Sequence, residues 1–197
     1  MSNTRGTQLK IIVAGGATAG KSSLVQSFVV RRSPTFRYGY RMIGVPSVGF
    51  NELTQQFTVD GHSEIFRLRD VASSCNYDFA VENFEDADAI MLVVGISGYV
   101  SYAQSRGWLD QLKQRLQPGI PVMVVGTKSD DIRAVSADHI ENFCRENDAI
   151  YVQCSAKENL STDEKNYLNV AMRPAGMNLP EFTNHTPISV SSTAPTP

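Results

Sequence analysis

Apolar residues gather in three short runs, 9–14, 89–94 and 122–125, which only Lys10 interrupts and which longer amphipathic stretches separate. A strand without polar alternation is buried on both faces. The pattern therefore predicts parallel strands alternating with helices that cover both sides of one sheet. The amphipathic stretches have their own period: Leu24 and Phe28 lie four apart, which predicts a helix from 21 to about 32. Tyr77, Ala80, Val81 and Phe84 share one helical face, as do Trp108, Leu109, Leu112 and Leu116. Ser161 to Glu164 reads as a capping box opening a last helix that turns Tyr167, Leu168 and Ala171 inward. One stretch departs from the strand–helix alternation. Phe57-Thr58-Val59, then Asp60-Gly61, then 65–68 predict an antiparallel hairpin. The fold class expected is α/β, a mostly parallel sheet with one antiparallel edge strand.

A chain of 197 residues is long enough for one well-buried core and short for two. From Arg173 onward Pro, Thr, Ser and Ala dominate and cannot bury enough apolar surface to order themselves. The organisation expected is a flexible start over 1–7, a folded domain over 8–173 and a disordered tail over 174–197. The net charge of −2 offers no global attraction to nucleic acid or anionic lipid. Cys75, Cys144 and Cys154 are far apart and odd in number, which predicts a reducing compartment and no zinc site. No apolar stretch reaches the roughly 18 residues of a membrane helix, so a cytoplasmic protein is expected. The tail has no cysteine for a prenyl group and position 2 is Ser rather than Gly, so membrane contact is expected only through a partner.

The chemistry starts directly after the first apolar run. Gly15, Gly16, Ala17, Thr18, Ala19, Gly20, Lys21 and Ser22 match G-x-x-x-x-G-K-[ST] in full, and Ser23 follows in the same helix start. Glycines let the backbone curl so that N–H groups and the helix dipole face an anion. Lys21 is expected to neutralise phosphate oxygens and Ser22 to ligate Mg²⁺. After the run 122–125 come Thr127, Lys128, Ser129 and Asp130, an [NT]-K-x-D pattern whose carboxylate can accept from both donors on the guanine edge. A third loop, Cys154-Ser155-Ala156-Lys157, can present the Ala156 N–H to guanine O6. Each short motif also reads as an ordinary polar loop; their order and spacing carry the joint reading.

In these motifs the chain resembles the Ras-like small GTPases over residues 9–172. The resemblance implies a six-stranded G domain with about five flanking helices, binding GTP or GDP with Mg²⁺. Thr127, where Asn is commoner, is similar to the Rho branch, whereas Val45-Pro46-Ser47-Val48-Gly49-Phe50-Asn51 is similar to the first switch of the Arf branch. By that likeness Ser47 supplies a second Mg²⁺ hydroxyl and Asp70 holds the ion through water. A competing register puts Met42 at the sensing position. An insertion between Arg31 and Met42 carries four arginines and no acid, and reads as a solvated basic loop or an acidic-partner surface. Regulators and effectors are expected at 42–52 and 70–84, on a monomer. Vesicle traffic, the cytoskeleton and ciliary transport are the processes the family implies.

The family's D-x-x-G-Q stands here as Asp70-Val71-Ala72-Ser73-Ser74. Ser73 replaces a glycine whose N–H must swing onto the γ-phosphate, so the switch is expected to be stiff. Ser74 replaces the glutamine that orients attacking water, so hydrolysis is expected to be slow unless Asn76, Tyr77 or a partner supplies the missing group. Ala17 adds a methyl where an arginine finger enters in Ras-type enzymes. The two functions left open are a nucleotide-dependent interaction module and a working hydrolytic switch completed in trans.

Overall fold

The computed structural model describes residues 8–30, 49–59, 62–75 and 85–157. Their elements run β1 (Gln8–Gly15), α1 (Lys21–Val30), β2 (Phe50–Val59), β3 (His62–Val71), β4 (Ala89–Gly95), α2 (Tyr99–Arg115), β5 (Val122–Thr127), α3 (Ala137–Glu146) and β6 (Ala149–Gln153). The expected helices over 77–84 and 161–171 and the insertion at 31–41 lie outside the described residues.

Six strands form one sheet in the order β2-β3-β1-β4-β5-β6, with every pairing parallel except β2 to β3. The sheet therefore has the expected composition, one antiparallel strand at one edge. The hairpin is longer than the aromatic and β-branched residues suggested. Pairing runs from Val59↔His62 to Phe50↔Val71, so strands of ten residues replace the short segments expected. Asn51 and Glu52 pair with Asp70 and Arg69 within the ladder, because cross-strand partners hold polar residues that strand propensity alone would release.

The two-sided burial of the central strands separates the core into two layers. Ile12 and Ala14 point with Ile90, Leu92 and Val94 toward Trp108, Leu109 and Leu112 of α2 and Ile140 and Phe143 of α3. Ile11 and Val13 point with Met91 and Val93 toward Leu24 and Val25 of α1. Trp108, Leu109, Leu112 and Leu116 are all buried, as their spacing predicted. α3 opens on Ser136, whose hydroxyl accepts from His139 N–H at 3.3 Å, an N-cap of the usual kind.

What matters for chemistry is the carboxyl edge. β1 lies between β3 and β4, so chain connections leave it toward opposite halves of the sheet and open a crevice beyond its carboxyl end. The glycine loop starts there.

Candidate nucleotide-binding site

The loop 15–20 is shaped by backbone geometry that few residues tolerate. Gly15 and Gly20 have φ of 148° and 92°. A Cβ at Gly15 would stand 2.1 Å from the Val93 carbonyl oxygen, so a side chain there would force β1 and β4 apart. Lys21, in the first turn of α1, folds back over the loop and donates from Nζ to the Gly15 and Gly16 carbonyls, each at 3.0 Å. Ser22 donates its hydroxyl to Asp70 Oδ2 at 2.5 Å. Ser23 follows within the same turn.

Asp70 reaches Ser22 because of strand register. It sits beside Val13 in the parallel pairing of β3 with β1, near the carboxyl edge where the loop begins. Burial raises its carboxyl above the usual carboxylate range, against the opposing pull of the Ser22 hydroxyl and the Lys21 charge. Burial likewise lowers the Lys21 ammonium, with Asp70 acting the other way. The second oxygen, Asp70 Oδ1, is buried with no hydrogen-bond partner among the described residues. The Ser22 hydroxyl and the Asp70 carboxylate, side by side at a glycine loop, are hard oxygen donors. They fit a divalent cation, and the Lys21 ammonium over the same loop fits a phosphate.

On the other side of the crevice, Thr127 ends β5 and donates its hydroxyl to the Ala19 carbonyl, with the Val94 carbonyl a second acceptor at 3.3 Å. This clamp joins the two expected ligand loops. Lys128 takes φ 63°, which turns the chain sharply between Thr127 and Asp130. Asp130 accepts from the Ser155 hydroxyl at 2.6 Å, and the Lys157 ammonium lies 3.7 Å from its other oxygen. The Ser155 bond chiefly holds the Asp130 carboxyl below its usual range. Ser155 also accepts from Lys157 N–H at 3.2 Å, so the turn Ser155-Ala156-Lys157 folds against Asp130. The Lys157 side chain is largely exposed, and its pairing adds little.

The structure thus brings together Gly15 to Ser23 with Asp70 and Thr127, and places Lys128, Asp130, Ser155, Ala156 and Lys157 in two adjoining loops. Ser73 follows Asp70 in a half-buried turn, and Ser74 is exposed beside it. Ser47 and Met42 lie outside the described residues, as do Asn76 and Tyr77. The nearest described neighbour of Ser47 is Gly49, whose carbonyl accepts from Ala72 N–H at 3.0 Å, tying the chain after 47 to the chain after Asp70. His139 is exposed on α3 against Ser136, and none of the described site residues contacts it.

Two contributors had no signal in the sequence. Ser105 and Gln104 of α2 accept from the N–H groups of Gly16 and Ala17, at 2.9 and 2.8 Å. Nothing within one helical turn of either marks it as part of a loop almost ninety positions earlier.

A family model described as the Ras family matches residues 10–172. The chain belongs to the Ras family. It is a small GTPase of that family, and the motifs above occupy the corner where its sheet opens. Among Ras-family relatives, the Ras-related protein RABF2a of Arabidopsis thaliana is 26% identical over 204 aligned positions, covering 98% of each chain. RABF2b of the same plant is 26% identical over 197 positions, covering 94% of each. The GTP-binding protein YPT53 of Saccharomyces cerevisiae is 27% identical over 158 positions, covering 76% of this chain and 69% of its own.

Proposed function

We propose that this small GTPase binds GTP or GDP together with Mg²⁺ through residues 15–23, Asp70, Thr127, Lys128, Asp130 and 155–157, hydrolyses GTP slowly, and uses the loaded state to hold a protein partner. The observation that carries the reading is the meeting of Ser22 with Asp70 beside Lys21, with Asp70 Oδ1 buried and unsatisfied among the described residues. A buried carboxylate oxygen without a partner costs free energy unless a cation or donor completes it. YPT53, a relative, is named as GTP-binding, which supports the same ligand.

Bound Mg²⁺ would supply charge neutralisation at the phosphates. Ser22 and Asp70 are the described residues that would hold it, with Ser47 as the third by resemblance. Lys21 already faces the loop carbonyls, so its charge is pre-positioned over the anion site. Thr127 fixes the loop from behind. Asp130, kept ionised by Ser155, supplies a carboxylate for the two donors of guanine, which adenine lacks. Ser74 is exposed on a short stem and cannot span from a water to a carbonyl as a glutamine amide does, so the proposed turnover is slow. The partner surface is assigned to 42–52 and 70–84, and the partner is a protein rather than nucleic acid. Folding of 8–173 as one domain is supported by the family match over 10–172.

The test is to denature the purified protein, identify the released nucleotide by chromatography, and follow single-turnover hydrolysis with Mg²⁺. Decay no faster than about 10⁻⁴ s⁻¹ is expected, and Ser74→Gln should raise it. Rapid unassisted decay would replace the module with a cycling switch, and an unchanged Ser74→Gln rate would sink the role given to that position.

A further inference from the structure

The outer arm of the phosphate loop is held by a helix, and the contact is built from both sides. Gly16 N–H donates to Ser105 Oγ at 2.9 Å, and the next amide, Ala17 N–H, donates to Gln104 Oε1 at 2.8 Å. Ser105 is completely buried. Its oxygen also lies 2.9 Å from the Val93 carbonyl and 2.8 Å from the Ser101 carbonyl, so its single proton goes to one of them while it accepts from Gly16. A serine bonded to the carbonyl four residues earlier is common within helices. Accepting a loop amide at the same time is not part of that habit. The loop is fitted to match: a Cβ at Gly16 would stand 2.5 Å from the Ser101 carbonyl oxygen and 3.0 Å from Gln104 Cβ. Strand β4, helix α2 and the loop therefore converge on one hydroxyl.

Two consecutive N–H groups are thereby committed to α2. Ala19 N–H turns inward as well, to the Gly16 carbonyl at 3.3 Å. Contacts within the protein thus fix the curvature of the arm.

We infer that Ser105 and Gln104 are positioning residues for the phosphate loop, and that by holding Gly16 and Ala17 against α2 they slow the release of bound nucleotide. The inference rests on the proposed nucleotide site. Without Ser105 the Gly16 amide is buried and unpaired, and the loop gains by leaving the shape that binds phosphate. Gln104 is exposed, so its bond exchanges with water and contributes less.

The experiment uses the full chain loaded with a fluorescent GDP analogue and Mg²⁺, chased with unlabelled GDP. Dissociation should be about tenfold faster in Ser105→Ala and about threefold faster in Gln104→Met, as expected for losing a buried and an exposed hydrogen bond. Amide hydrogen exchange at Gly16 and Ala17 should rise in the same variants. Ile140→Val, a core change on α3, serves as the comparison: it lowers Tm but should leave the dissociation rate within twofold. Wild-type rates in both α2 variants would overturn the inference while leaving the nucleotide site intact. Equal acceleration in Ile140→Val would overturn it too, as a general loss of stability. If Ser105→Ala does not fold, Gln104→Met decides alone. Failure of the wild-type chain to bind the analogue would overturn the nucleotide reading and this inference with it.

Discussion

Thr18 carries the clearest cost of building a phosphate loop from this sequence. It adopts φ 57°, in the left-handed region where a β-branched side chain crowds its own backbone, and it is exposed, so few contacts offset the strain. The strain is on the order of 1–2 kcal/mol, against roughly 0.4–1 kcal/mol by which a glycine would favour the unfolded chain. Thr18→Gly should therefore be neutral or stabilising by up to about 1 kcal/mol in urea unfolding; a clear loss would mean that the Thr18 side chain has a partner in the folded state. Lys21 presents the opposite balance. Its ammonium is buried and bonded to two carbonyls of the loop, with Asp70 as its charge partner. Lys21→Ala should lower nucleotide affinity by at least about a hundredfold, since charge-assisted hydrogen bonds contribute roughly 1.5–3 kcal/mol each. Isothermal titration with GDP measures it, and retained affinity would remove Lys21 from the anion site. The residue types of this loop were legible in the sequence because the pattern is local: glycines where φ is positive, then a lysine and a hydroxyl in the first helical turn.

Elements were legible where burial is two-sided and less so where it is mixed. The runs at β1, β4 and β5 appear with their ends moved by one or two residues, whereas β2 and β3 extend through polar residues that only pairing holds in a strand. The packing of α3 and β6 onto the sheet has a consequence in solution. Burial pushes the Cys144 thiol up to about 12 from 9.0, with Glu141 adding to the shift, and the Tyr151 phenol up to about 12 from 10.0, with Arg133 opposing. Both groups are neutral when protonated and hold their proton more tightly when folded. Their stabilising contribution is complete below the unfolded values and is lost as pH rises through the folded ones. Stability should fall between about pH 9 and 12, by on the order of a few kcal/mol. Cys144→Ala, measured by urea unfolding across that range, should flatten the lower part of the decline. An unchanged slope would mean that the thiol ionises without opening the layer.

At the scale of the whole molecule, the proposed ligand site is a property of the sheet's carboxyl edge, where three loops from β1, β3 and β5 meet a fourth from β6. A ligand that completes Asp70 and meets the Lys21 charge should stabilise the folded chain by mass action, about 4 kcal/mol at a thousand times Kd. Chelating Mg²⁺ and removing nucleotide should lower Tm by several degrees, and adding both back should restore it; a Tm indifferent to both would show that the crevice binds neither. No described helix is long and apolar enough to cross a membrane. The sequence by itself determined the buried strands β1, β4 and β5, the helices α1 and α2, the fold class and the three loop motifs, because each rests on periodicity or on backbone demands within a few residues. Only the tertiary structure decided which distant groups meet: Ser22 with Asp70, Thr127 with Ala19, Asp130 with Ser155, and Gly16 with Ser105. Those contacts depend on strand order and register, which place residues side by side that have no local reason to signal one another, and a serine on a helix looks the same in sequence whether it faces a carbonyl of its own turn or the amide of a loop across the sheet.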